Sequence, residues 1–121
     1  NQCVLVRRDN REKTIVPLDE LETKVPELLR AVHEGLYNKA LANREARTYT
    51  ASTLEELKEL ASTKSGFFKT MWCGDEACEI KVKEEAGLTS RCMPFEQEHL
   101  GDVCPICGKP AKTSIIWGKA Y

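Results

Sequence analysis

Apolar residues recur along this chain in two rhythms. Leu21, Val25, Leu28, Leu29, Val32, Leu36, Ala40 and Leu41 fall three and four residues apart. That is the spacing of one apolar stripe on a long α-helix that faces a core. Pro26 interrupts it, because a proline ring in a helix interior clashes with the carbonyl four residues back. The main helix is therefore expected to start near Thr23 to Val25, with Pro26 in its first turn. Leu18 to Glu22 would form a short helical turn before it. The second rhythm is that of short strands. Cys3 to Arg8, Thr48 to Thr50, Gly66 to Trp72, Thr89 to Pro94 and Thr113 to Trp117 carry β-branched or aromatic residues between turn signals such as Asp9-Asn10. Between them lie two shorter helices. One opens at Ser52-Thr53-Leu54-Glu55-Glu56, a hydroxyl cap followed by first-turn acids, and runs to about Ser62 with Leu54, Leu57, Leu60 and Ala61 inward. The other covers Cys78 to Ala86 and stops at Gly87. The predicted order is β-α-β-α-β followed by α-β-β. This is an α/β (α+β) two-layer sandwich, helices on one face of a mixed sheet, with a zinc-tied C-terminal part.

The tie comes from cysteines. Cys73-Gly-Asp-Glu-Ala-Cys78 and Cys104-Pro-Ile-Cys107-Gly-Lys are two close pairs, and two such turns supply the four thiolates of a closed tetrahedral zinc site. Gly108 can take the positive φ that turns backbone N–H groups toward sulfur. Three other readings stand beside this one. The cysteines could pair as disulfides, but the chain is highly charged and has no apolar signal segment. Cys104 and Cys107 could be a redox pair, but Gly108 and Pro110 follow where such a motif needs a helix start. His99 could replace one thiolate. Cys3 and Cys92 lie in apolar strand-like runs and are expected to be buried free thiols.

Composition narrows the rest. A chain of 121 residues, 41% hydrophobic, suits one domain or a domain with a small metal subdomain. Eighteen Lys and Arg stand against 19 Asp and Glu, so no net field draws nucleic acid nonspecifically. No apolar run nears the ~20 residues of a membrane span. The chain reads as soluble, cytoplasmic and without a membrane partner. It enters its first strand almost at once, from Asn1, so it is expected to be a piece of a longer protein. Arg7, Arg8, Arg44 and Arg47 are candidates for contact with an RNA backbone along a sheet edge, although such residues are more often solvated. Trp72, Trp117, Phe67 and Phe68 read as core, and His33 as a surface or boundary residue. No catalytic or cofactor-binding set has a defensible spacing, and no Gly-rich phosphate loop is present.

Several segments in order resemble one family. Val4-Leu5-Val6-Arg7-Arg8-Asp9, Trp72-Cys73-Gly74, Cys78-Glu79, Cys92-Met93-Pro94-Phe95, Cys107 to Lys112 and the ending Trp117-Gly118-Lys119-Ala120-Tyr121 are similar to the C-terminal region of eukaryote- and archaeal-type prolyl-tRNA synthetases. The resemblance implies that residues 1–8 are the end strand of the preceding anticodon-binding domain, or the first strand of this one. Residues 9–121 would then be the C-terminal zinc-binding domain. It implies one structural zinc per chain on Cys73, Cys78, Cys104 and Cys107, and it implies that Cys92 is not a ligand. The full-length protein would be a class II, ATP-dependent proline–tRNA ligase. ATP and proline would bind upstream, and this part would not be catalytic. The expected partners are the upstream catalytic and anticodon-binding domains, with tRNA(Pro) for the whole enzyme and weak or no tRNA binding here. The whole enzyme is expected to be a homodimer and this piece a monomer. Tyr121 is expected to turn back onto the catalytic domain. The alternative is a free-standing zinc-ribbon α/β module that binds nucleic acid or protein.

Overall fold

The computed structural model describes residues 1–121. The chain divides into two compact units, Asn1–Asn43 and Arg44–Tyr121.

In the first unit, strands β1 (Gln2–Val6) and β2 (Lys13–Pro17) pair antiparallel as a hairpin. A single 3₁₀ turn, Leu18–Glu20, leads straight into helix α1, Leu21–Ala46. The sequence reading had no second strand here. β2 carries three β-branched residues in succession, Thr14, Ile15 and Val16, so the strand propensity was present in the sequence, and pairing with β1 completes it. The hairpin loop is tied by Arg7. Its guanidinium donates to both Asp9 carboxylate oxygens, at 3.1 and 2.7 Å, and to the Ala31 carbonyl on α1 at 3.0 Å. The Asp9 carboxyl is held below its ordinary range, chiefly by these hydrogen bonds from Arg7. Arg7 is thus engaged within its own unit. Gly35 is the residue that admits this clamp. A Cβ there would lie 3.1 Å from Arg7 Nη2 and 3.2 Å from Asp9 Oδ2.

Two expectations about α1 fail. The helix begins at Leu21, so Pro26 sits inside it. Pro26 withdraws one hydrogen bond from the Glu22 carbonyl, and both residues are exposed, so the carbonyl faces solvent instead of an apolar interior. The apolar stripe also does not enter a core of this chain. No α1 residue is buried, and Val25, Leu29 and Leu36 are exposed.

The second unit is a two-layer α/β sandwich. Its elements are β3 (Thr48–Thr50), α2 (Leu54–Thr63), β4 (Phe67–Trp72), α3 (Glu76–Ala86), β5 (Leu88–Cys92) and β6 (Thr113–Lys119). The strand order is β3-β4-β6-β5, with β3 and β4 parallel and the other pairs antiparallel. This mixed sheet with its helices matches the expected fold class, except that β1 is no part of it. The first expected strand pairs with β2 alone.

Period-two alternation sends Phe68, Thr70, Ile115 and Trp117 to one face. There they join Leu57 and Ala61 of α2, Val82 of α3 and Leu88 in one buried cluster. Trp117 is fully buried, and its indole N–H donates to Thr70 Oγ at 2.8 Å. Tyr49 stacks on Phe68 with ring centroids 5.9 Å apart. Phe67 faces the other way and is exposed, contrary to its reading as core. It is the strand neighbour of buried Phe68, and alternation gives it the opposite face.

Helix starts follow local chemistry. The Thr53 hydroxyl accepts from Glu56 N–H at 3.1 Å, and the Glu56 carboxylate accepts from Ser52 N–H and Oγ at 2.8 and 2.9 Å. Gly66, at φ +144°, lets β4 approach Arg47 so closely that a Cβ would lie 2.0 Å from the Arg47 carbonyl oxygen. The Phe67 N–H bonds that same oxygen at 2.9 Å.

Candidate metal centre

Cys73 follows directly on β4, and Gly74 at φ +87° turns the chain away from the sheet. The Asp75 side chain then caps α3 by accepting from Ala77 N–H at 2.9 Å. The helix thus starts two residues before the position read from sequence, and Cys78 falls in its first turn, buried. The second pair lies in the loop between β5 and β6. There the Val103–Pro110 bridge pinches the chain. Cys104 N–H bonds the Lys109 carbonyl at 2.8 Å, and Gly108 N–H bonds the Cys104 carbonyl at 2.8 Å. Gly108 takes φ +74°, the left-handed value the knuckle requires.

The two turns bring Cys73, Cys78, Cys104 and Cys107 together, with all four sulfurs within 4.8 Å of one another. Cys73 Sγ lies 3.6 Å from both Cys78 Sγ and Cys107 Sγ. A tetrahedron with zinc–sulfur bonds of ~2.3 Å has edges of ~3.8 Å. The cluster is therefore the size a zinc ion would set, and all six cysteines are free thiols. His99 is outside the group. It is exposed, with Nε2 3.2 Å from Asp102 Oδ1.

The sulfurs are not electrostatically alike. Burial pushes the Cys73 and Cys78 thiols up, and the neighbouring cysteines push Cys78 further. Cys107, at the surface, is brought down to about 7, first by the hydrogen bond from the Lys109 backbone N–H. Four thiolates so close would repel one another; without an ion the buried thiols relieve this by keeping their protons, and a cation held among them would favour the thiolate form instead. Four sulfur donors also leave no open position for a reacting water, so the donor set suits a structural metal, not a catalytic one.

Cys3 is half-buried and lies in the first unit. Cys92 is exposed, a correction to its expected burial. The ladder between β5 and β6 shifts register between Ser90 and Cys92, so Cys92 leaves the inward alternation just where β5 ends. Tyr121 is fully exposed.

A protein-family model described as "Prolyl-tRNA synthetase, C-terminal" matches residues 54–121. The whole chain is 61% identical to a "Proline--tRNA ligase" of Clostridium novyi and 58% identical to a "Proline--tRNA ligase 2" of Bacillus cereus. It spans 25% of each of those relatives. The solved prolyl-tRNA synthetase of Cryptosporidium parvum, crystallised with halofuginone and AMPPNP, superposes with a TM-score of 0.89 at 30% identity. That match covers 99% of this chain and 26% of the other.

Proposed function

Because the chain belongs to the prolyl-tRNA synthetase C-terminal family, we propose that it is the non-catalytic, zinc-binding C-terminal part of a proline–tRNA ligase. The full-length enzyme joins proline to tRNA(Pro) with ATP in the cytoplasm. The observation that carries this is the match along the entire chain to ligases four times its length. Residues 1–8, within the compact unit that ends at Asn43, close the anticodon-binding domain. Residues 9–121 are the appended zinc-binding domain, of which Arg44–Tyr121 forms one compact unit. Cys73, Cys78, Cys104 and Cys107 hold one zinc, which crosslinks β4, α3 and the β5–β6 loop and supplies no reaction chemistry. ATP and proline bind in the catalytic domain, outside this chain, and tRNA(Pro) binds the whole enzyme. The exposed Tyr121 contacts the catalytic domain. The free-standing zinc-ribbon reading has no specific observation in its favour.

The test is paired. The longer protein should show proline-dependent ATP–pyrophosphate exchange and charge tRNA(Pro), and the 121-residue chain should do neither. Elemental analysis should find one zinc per chain. Exchange by the short chain, or a longer protein that charges another amino acid, overturns the reading. Metal-free protein with all four thiols titratable overturns the zinc assignment alone. For Tyr121, Ala120 and Tyr121 should be removed from the full-length enzyme while Lys119 is kept, because Lys119 still pairs with Leu88 in the sheet. Unchanged charging and melting would dismiss that contact.

A further inference from the structure

The four sulfurs of the cluster differ in what can reach them. Cys78 and Cys104 are buried, Cys73 is half-buried and Cys107 is exposed. Oxidation of a cysteine follows its access to the oxidant, so a dissolved oxidant meets Cys107 first. The sulfur beside it is that of Cys73, at 3.6 Å. A disulfide spans ~2.0 Å, so this pair needs to close by only about 1.6 Å.

Contacts that involve no ion keep these two residues neighbours. Trp72, just before Cys73, pairs with Thr113 in the ladder between β4 and β6. The strand that delivers Cys73 is therefore fixed beside the strand into which the loop of Cys107 runs. Lys109 Nζ lies 3.8 Å from Asp75 Oδ2, a second link between the same segments. The competing pairs are less favoured. Cys104 is fully buried, and its N–H and carbonyl are both held at 2.8 Å by Lys109 and Gly108. Cys78 is buried in the first turn of α3. A Cys73–Cys107 bond also closes the longer loop, 34 residues against 5 for Cys73–Cys78, and a longer loop constrains the unfolded chain more.

We propose that this site is an oxidation switch, in which a hydroperoxide joins Cys107 to Cys73 as a disulfide and frees the metal. The proposal rests on the reading of the four cysteines as a zinc site and adds a regulation to it. In the first step the Cys107 thiolate attacks one peroxide oxygen. The O–O bond breaks, an S–O bond forms to give the sulfenic acid, and the departing hydroxide takes a proton from solvent to become water. In the second step the Cys73 thiolate attacks that sulfur. The S–S bond forms, the S–O bond breaks, and a second hydroxide leaves as water after taking a second proton. The two sulfurs together lose two electrons and the peroxide gains them. Cys78 and Cys104 are then half of a closed ligand set, too few to retain the ion. The new bond ties the end of β4 to the β5–β6 loop, the same segments the ion tied. A dithiol reverses it by exchange.

The test uses zinc-loaded full-length protein treated with hydrogen peroxide. Released zinc is read with a chromogenic chelator, and disulfides by peptide mass without reduction. Zinc release should keep pace with a Cys73–Cys107 bond, and dithiothreitol with added zinc should restore the starting state. Cys107→Ser should slow zinc release by at least about tenfold, and Cys92→Ser should leave it unchanged. If Cys107→Ser holds no zinc from the start, the disulfide map of the unaltered protein decides alone. Zinc release with a Cys104–Cys107 or Cys73–Cys78 bond, or with any bond to Cys92, overturns the proposal. So does Cys107 oxidised to the sulfinic acid with no disulfide. Full-length protein isolated without zinc refutes the zinc reading, whereas zinc-bearing protein that keeps its ion through the treatment refutes the switch alone.

Discussion

The two compact units bury their apolar residues very differently. The second closes a core in which Leu57, Phe68, Val82, Leu88 and Trp117 are shut away from solvent. In the first, Val16 is the one buried apolar side chain, while Val4, Val6, Ile15, Leu18, Val25, Leu29, Leu36 and Tyr37 are exposed. Both units have well-patterned elements. The contrast shows that a pattern tells which face is apolar and says nothing of what covers it. The second unit sets helices against a four-stranded sheet. The first has one hairpin and one helix, too few layers to enclose a stripe of eight positions.

The contrast can be broken hardest at the metal centre. Zinc-finger peptides hold their metal with ~10–16 kcal/mol, an upper bound here because the second unit has a core of its own. Chelation under reducing conditions should raise amide exchange over residues 73–112 by about 100-fold or more and leave residues 1–43 unchanged. If exchange rises equally across the chain, the units are not independent, and if it rises nowhere, the metal holds nothing.

Next in size is Trp117→Ala. Removing a fully buried indole costs about 3–5 kcal/mol, and here it also takes the N–H partner from Thr70. Urea unfolding should show the second unit destabilised by that amount, with helical signal from α1 retained at the same denaturant concentration. A loss under 1 kcal/mol would mean that the core collapses around the gap.

Acid should act on the first unit through Asp9. The folded carboxyl titrates below its unfolded value of ~3.9, because Arg7 donates to it. Its contribution is fully present above the unfolded value and is lost as pH falls through the folded one. Amide exchange near Arg7, Asp9 and Ala31 should speed up below pH 4, and Asp9→Asn should remove that pH dependence while the hairpin is weaker at neutral pH. A flat profile in the unaltered chain would mean that Arg7 and Asp9 do not hold each other in solution.

The smallest effect is expected at Leu29. In this chain it is exposed, so Leu29→Gln should change stability by no more than about 0.5 kcal/mol. Leu57→Ala, in the closed core, should cost about 2–5 kcal/mol. Similar costs at the two leucines would erase the distinction between the units.

Much of the second unit was legible because its signals are local. The Thr53 cap with Glu56, the Gly87 stop and the two cysteine pairs each announce themselves within six residues. The four-cysteine cluster needed only that the pairs meet. What stayed hidden depends on contacts distant in sequence. Cys92 is exposed because the ladder shifts one residue earlier. The segment after β5 is tied to β6 by Gln97 reaching Ser114, a pairing that neither residue signals on its own. Pro26 misled for the opposite reason, since a valid local rule was relaxed by solvent at the helix surface.

The strand order β3-β4-β6-β5 also has a consequence for assembly. β6 follows β5 in sequence yet lies between β4 and β5, so these two strands have no shared ladder until residues 113–119 exist. Synthesis runs from the N-terminus, and a chain halted before Thr113 would present two unpaired edges, the hazard that invites wrong pairing. It would also lack Trp117 and Ile115 from the cluster. The sheet is therefore completed from its middle by its last strand, so an interrupted copy is marked by open edges and an unfilled core.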